Sequence, residues 1–195
     1  MRTNPKILHF LNGISLLIGL LMIASVPGFG QRGSTETIDA TAFGTSTQLG
    51  RNFGVRIIIY EFSNPDDRDI LVQAFQQRQN DGLVNALEKM RSVGRITMPG
   101  TLGFDLSFIR EIVTPTGRTI RFVTNRKIAF GESYWSTQTK SFNLTAGEIN
   151  INEKDKSKSD GVLFPAAQLI VNKEGELQFE LNQNAWRLTN IIEWK

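Results

Sequence analysis

The chain has 195 residues, 40% of them apolar, with 22 Lys and Arg against 19 Asp and Glu, one histidine and no cysteine. The absence of cysteine excludes disulfides and thiolate chemistry. Because the only histidine, His9, lies at the N-terminal end, Ser-His-Asp and Cys-His catalysis and the usual zinc ligand sets have nothing to draw on downstream.

Arg2 and Lys6 precede an apolar run over 13–26, and Pro27-Gly28-Phe29-Gly30 then offers small residues at alternate positions. Positive, apolar and small-residue regions in that order predict a signal peptide over 1–30. Cleavage is expected near Gly30-Gln31, leaving a secreted or periplasmic protein. The run is short for the roughly 20 apolar residues of a helical span, so no stable membrane span is expected after cleavage. Removing 1–30 also takes away His9, Arg2 and Lys6, leaving 20 basic and 19 acidic residues. So near-neutral a chain makes no electrostatic case for nucleic acid or an anionic membrane surface.

Residues 31–36 lack apolar periodicity and read as a flexible lead-in to a single β-rich domain over 37–195. Val55, Ile57 and Ile59 alternate within 53–62, the strongest strand signal in the chain. Ser63 or Asn64 then caps a helix, with Pro65 in its first turn and Asp66 and Asp67 at the positive end of its dipole. Ile70, Leu71, Ala74 and Phe75 keep helical spacing. Asn80-Asp81-Gly82 interrupts it, and Leu83, Val84, Leu87 and Met90 resume it, which predicts an αα-hairpin. Strands and turns follow: 95–98, a long strand over 102–114, a Pro115-Thr116-Gly117 turn, 118–125 and 127–130. Two further strands, 141–144 and 148–152, flank a turn at Thr145-Ala146-Gly147. A charged loop spans 155–161, a hairpin over 162–171 and 176–181 turns at 172–175, and 186–194 is the last strand. This adds up to an α+β, mainly antiparallel β fold: a barrel-like or sandwich sheet of about eight to ten strands with one αα-hairpin insertion.

Candidate sites are few. Arg95, Arg110, Arg118, Arg121 and Arg126 concentrate in the central strands, where they form either a ladder for an anionic ligand or the polar face of half-buried strands. Glu132 stands beside Tyr134 and Trp135, a carboxylate with aromatic rings of the kind that stack on sugar. With Asp105 or Glu111 it would supply the two carboxylates a glycosidase needs. The candidate ligand-binding residues are therefore Arg95, Arg121, Arg126, Glu132, Tyr134 and Trp135. No catalytic residue, metal ligand set or cofactor is assigned: S-x-x-K is missing downstream of the signal segment, and Gly100-Thr101-Leu102-Gly103 is no dinucleotide fingerprint. Asn143-Leu144-Thr145 matches a glycosylation sequon that matters only in a eukaryotic secretory pathway. Eleven phenylalanines remain after residue 30; they line a ligand cavity if the barrel is open, or pack a filled core.

Three stretches carry a resemblance. They are Val93 to Ile96 with Pro99 to Asp105, Arg121 to Arg126 with Phe130-Gly131-Glu132, and Gly161 to Ala167. Together they resemble a group of uncharacterised, secreted bacterial proteins of about this length that bear signal peptides. The resemblance covers most of the chain after residue 30. It implies export and a single domain, and carries no activity, cofactor or catalytic residue.

The reading is an exported, non-catalytic binding or envelope-associated domain whose partner is an unknown ligand or envelope component. The alternatives are a carbohydrate-active enzyme using two carboxylates and a small outer-membrane barrel. The latter fits poorly with the αα-hairpin and with strands that are not evenly about 9–11 residues long.

Overall fold

The computed structural model describes residues 35–126, 128, 142–171, 173, 177–181 and 184–194. The segment 1–30 expected to be a signal peptide, most of the lead-in, all but Ile128 of the strand expected at 127–130, the first residue of the one expected at 141–144, and Glu132, Tyr134 and Trp135 lie outside them. Ten strands are present among the described residues: β1 (Glu36–Gly44), β2 (Asn52–Ile59), β3 (Gly94–Thr97), β4 (Phe104–Leu106), β5 (Phe108–Thr114), β6 (Gly117–Thr124), β7 (Leu144–Asn152), β8 (Asp160–Val171), β9 (Leu177–Leu181) and β10 (Trp186–Trp194). Glu36, placed in the lead-in by composition, already belongs to β1.

All pairings are antiparallel, in the order β4-β3-β2-β1-β10-β8-β7-β6-β5, with β9 hung on β8. The two ends of that path, β4 and β5, are consecutive strands separated by Ser107 alone. Ser107 N donates to Val123 O at 3.1 Å, so the chain leaves β3 and joins β6 through one bend. The long strand expected over 102–114 is thus this bent pair, and the sheet curls into a nearly closed barrel. Closure suppresses the exposed strand edges that an open sheet must protect.

Alternation decides what fills the barrel. Ile38, Val55, Ile57, Ile96, Leu106, Ile109, Ile120, Phe122, Ile149, Leu163, Trp186 and Leu188 point inward and form one buried cluster. The interior is a filled, isoleucine-rich core, not a phenylalanine-lined cavity; Phe75 and Phe108 are buried outside it, and Phe164 stacks on Phe179. The turn expected at Thr145-Ala146-Gly147 is instead the start of β7. Gly147 lies opposite Phe122, and a Cβ there would sit 2.2 Å from the Phe122 ring. The glycine marks a close approach within a strand, a use that composition alone does not separate from a turn. Thr145 is also fully buried, its hydroxyl accepting from Ile128 N at 2.9 Å and lying 2.8 Å from the carbonyls of both Arg126 and Pro165. That knot brings Ile128 into the apolar cluster.

The helical insertion, α1 (Pro65–Lys89), joins β2 to β3. Asn64 caps it reciprocally with Asp67, each side chain taking the other's backbone N–H. The expected two helices appear as one segment broken at Arg78 and Gln79, where Gln79 takes a φ of 51°. Gly82 lies where the arms touch: a Cβ there would meet Ala74 O at 2.1 Å. Asn80 anchors the break, accepting from Leu169 N and donating to Asn143. Leu71, Val84 and Leu87 pack on Phe108, Leu144 and Val123, which point outward from β5, β7 and β6. The apolar stripe of α1 therefore covers one side of the barrel wall, as core contact.

Candidate functional site

The arginines selected from sequence do not converge. Arg95 faces outward on β3, where Nε and Nη2 donate to Leu102 O at 3.1 and 2.6 Å and Asp105 lies 3.9 Å away. It braces the β3–β4 loop. Arg121 also faces outward, but on β6, and its Nε donates to Glu148 at 2.6 Å in a pair that is almost fully buried. Arg110 and Glu148 flank Arg121 on either side in the same cross-strand row. Burial, and then the charges of Arg68 and Arg121, push the Arg110 guanidinium below its ordinary pKa. Arg126 is exposed beyond β6, and what it contributes to the knot is its carbonyl. Strand parity explains the failure of the ladder. Arg118 and Arg121 are three residues apart on one strand, so they point to opposite sides of the wall.

Arg118 points inward, at the end of the barrel where β1 begins. Glu36 of β1, Glu193 of β10 and Glu111 of β5 all reach its guanidinium, Glu111 at 2.7 Å and Glu36 through a bond of 3.1 Å as well as a shorter one. Burial works against the Arg118 charge, yet its carboxylate partners outweigh burial and hold it protonated above its ordinary range. Burial, reinforced by the neighbouring Glu193 charge, raises Glu36 above the usual carboxylate range despite Arg118. A carboxyl pair with one raised member is a familiar mark of acid–base sites. Here both carboxylates are only 11–12% exposed and turned onto one guanidinium, an arrangement that plugs the barrel end. Among the described residues no group of three or more His, Asp or Glu is placed to hold a metal ion.

The other constellation is on the outer wall across β10, β1, β2 and β3. One cross-strand row reads Trp194, Thr37, Ile58, Arg95, and the next Ile192, Asp39, Arg56, Thr97. Asp39 ties the rows together. It accepts from Arg56 Nε at 2.7 Å and Nη2 at 3.0 Å, and from the Trp194 indole N–H at 3.0 Å. The Arg56 hydrogen bonds, seconded by Trp194, hold the Asp39 carboxyl below its usual range, so it is a firm acceptor near neutrality. The indole is fixed at its polar edge while the residue stays 56% exposed, with Ile192 beside it at 50%.

A bulge in β10 makes this possible. Between the pairs Asp39–Ile192 and Thr41–Thr189, β10 spends one residue more than β1, and Asn190 takes a φ of 52°. Asn tolerates the left-handed region better than most residues. The extra residue switches parity, so Trp186, Leu188 and Glu193 all face in while Ile192 and Trp194 face out. Of this face the sequence reading selected only Arg95, with Asp105 beside it. Asp39, Arg56 and Trp194 were missed; the alternation around Arg56 puts it outward, but only register joins it to residues 17 and 138 positions away.

Comparison with known proteins finds no matching family, no matching curated protein and no matching solved structure. Fold and site together define an up-and-down barrel of filled interior, helix-covered on one side, that displays an ordered aromatic–polar surface on the other.

Proposed function

We propose that this protein is an exported, non-catalytic binding domain that presents the β10–β1–β2–β3 face to an envelope component. The observation that carries the reading is the Trp194–Asp39–Arg56 arrangement. Indole, guanidinium and carboxylate hold one another in place without burying the ring, so little side-chain freedom is lost on contact. Trp and Arg are also the residues most often found at the energetic centre of recognition surfaces. The isoleucine-rich core supports surface recognition over an internal ligand.

Two alternatives receive less support. Asp105 is exposed beside Arg95, the setting of a surface charge. A membrane-spanning barrel needs an apolar exterior and polar lumen, whereas here isoleucine fills the inside and Asp39, Arg56, Arg95 and Asp105 stand outside.

Co-sedimentation of the purified chain with isolated envelope polymers, peptidoglycan and outer polysaccharide tested separately, examines the reading. Binding that drops at least about tenfold in Trp194→Ala and in Arg56→Ala supports it. Equal binding by both variants, or glycoside hydrolysis that is lost in Glu132→Gln or Asp105→Asn, would overturn it.

A further inference from the structure

The two ends of the barrel differ in the side chains they display. The β1–β2 and β3–β4 loops project from one end, opposite the Arg118 plug. At that end Leu49 and Leu102 occupy the two loops at 81% and 92% exposure, and Phe43, near the base of the first, is 40% exposed. Neither loop contains a carboxylate, and Arg51, Arg126 and Arg187 stand exposed at the adjoining strand ends. Among the described residues, the exposed carboxylates of that half, Asp81 and Glu180, belong to the helix break and to β9. The opposite end carries Glu36, Glu61, Glu111, Glu153, Asp155, Asp160 and Glu193 together with Arg91, Arg118, Lys154, Lys156 and Lys158, so both signs meet there.

The leucines are held out by construction. The first loop folds back on the barrel: Gln48 is buried against Gly44, Arg51 N donates to Gln48 O at 3.1 Å, and Thr45 Oγ1 donates to Ala185 O at 2.5 Å. Leu49 is left at the apex. In the second loop Thr101 closes a turn on Met98, and Arg95 grips the Leu102 carbonyl with two hydrogen bonds. A loop free to relax would fold its leucine onto the wall; these are braced with the side chain outward.

Apolar tips on braced loops, with exposed arginines at the same end of the barrel, match the chemistry of an anionic lipid surface, where hydrocarbon accepts the leucines and headgroups accept the guanidinium charge. We propose that this end of the barrel docks peripherally on anionic lipid, a contact separate from the Trp194 face and independent of what that face binds. Charge complementarity selects lipid over a neutral partner, and the leucines select it over nucleic acid, which offers no hydrocarbon to receive them.

The test is vesicle co-sedimentation with the chain from Gln31 onward, which contains every strand of the barrel and excludes the apolar 13–26 run. Phosphatidylglycerol vesicles should bind it, phosphatidylcholine vesicles far less, and added salt should weaken binding. Leu49→Ser with Leu102→Ser should cost about tenfold per leucine, with an unchanged thermal unfolding midpoint because neither side chain packs. Leu102→Trp supplies an independent readout: its emission should shift to the blue on phosphatidylglycerol vesicles. Failure to bind these vesicles, wild-type binding by the double serine variant, or no shift from the introduced indole would each overturn the proposal. None of these outcomes depends on Trp194.

Discussion

Arg118 is the residue whose removal should cost most. Its guanidinium meets three carboxylates in a setting where Arg118, Glu36 and Glu193 are each about a tenth exposed. Breaking a buried ion cluster from one side strands the remaining charges and costs about 3–5 kcal/mol. Arg118→Met should lower the urea midpoint accordingly, while the triple change to Met with Glu36→Gln and Glu193→Gln should recover a substantial part. Glu36 gives the cluster a pH dependence of known sign. Its carboxyl titrates higher folded than unfolded, so it contributes stability below the ordinary carboxylate range and loses it as pH rises through the raised value. The stability difference between wild type and Glu36→Gln, followed from pH 4 to 8, should therefore move against the wild type. A flat or opposite trend would show that Glu36 is not raised. Gly147 offers a test of the filled core. Gly147→Ala forces a methyl against the Phe122 ring and should destabilise by about 1–3 kcal/mol. Phe122→Leu should relieve part of that, giving a favourable coupling in a double-mutant cycle.

At the scale of elements, the β10 bulge is the device on which both ends of the molecule's chemistry depend. It lets one strand place Trp186 and Leu188 in the core, Glu193 on Arg118, and Trp194 on the outer face. Asn190→Gly keeps the left-handed φ available and should leave stability within about 1 kcal/mol of wild type. Deleting Asn190 removes the extra residue and leaves Ile191 and Glu193 inward, so it should keep the Arg118→Met penalty. Inserting a residue beside Asn190 turns Ile191 and Glu193 outward, and should lower the unfolding midpoint steeply and abolish that penalty. Nothing in the 186–194 stretch announces the bulge, because a parity switch looks like imperfect alternation until a partner strand is known. The same reasoning separates what was legible from what was not. The alternation in β2 and the Asn64–Pro65 helix start are local, and each appears where local physics puts it; the charged loop expected over 155–161 is shorter, since Asp160 and Gly161 already belong to β8. The αα interruption was also legible, although the break falls at Arg78 and Gln79, and Gly82 serves the contact between the arms. The β7 start was misread because Gly147 answers to Phe122, a residue 25 positions away. Of the two readings open for the arginines, the pairs Arg95–Asp105, Arg118–Glu111 and Arg121–Glu148 fit the polar face of half-buried strands, and which side of the wall each takes is not fixed by adjacency along the chain.

For the whole molecule, antiparallel neighbours follow the chain order almost throughout, so hairpins form most of the barrel locally. Closure does not: β1 and β10 pair across the full length of the sequence, and loop closure of that span opposes it until most of the sheet exists. The strand inventory and the mainly antiparallel class were readable from the alternation of Ile, Val and Phe with turn residues. The choice between sandwich and barrel was not, since it rests on the bend at Ser107 and on the β1–β10 seam.

That seam has a mechanical meaning. β1 starts and β10 ends on the same rim, so a force pulling the two termini apart loads their ladder one rung at a time, as a zipper, not all rungs together in shear. A zipper yields at its first tooth. Here the first teeth are Glu36 and Glu193, and both are fastened to Arg118 on β6 at the far side of the barrel. The cluster is thus a clasp closing the rim where tension would begin to part it.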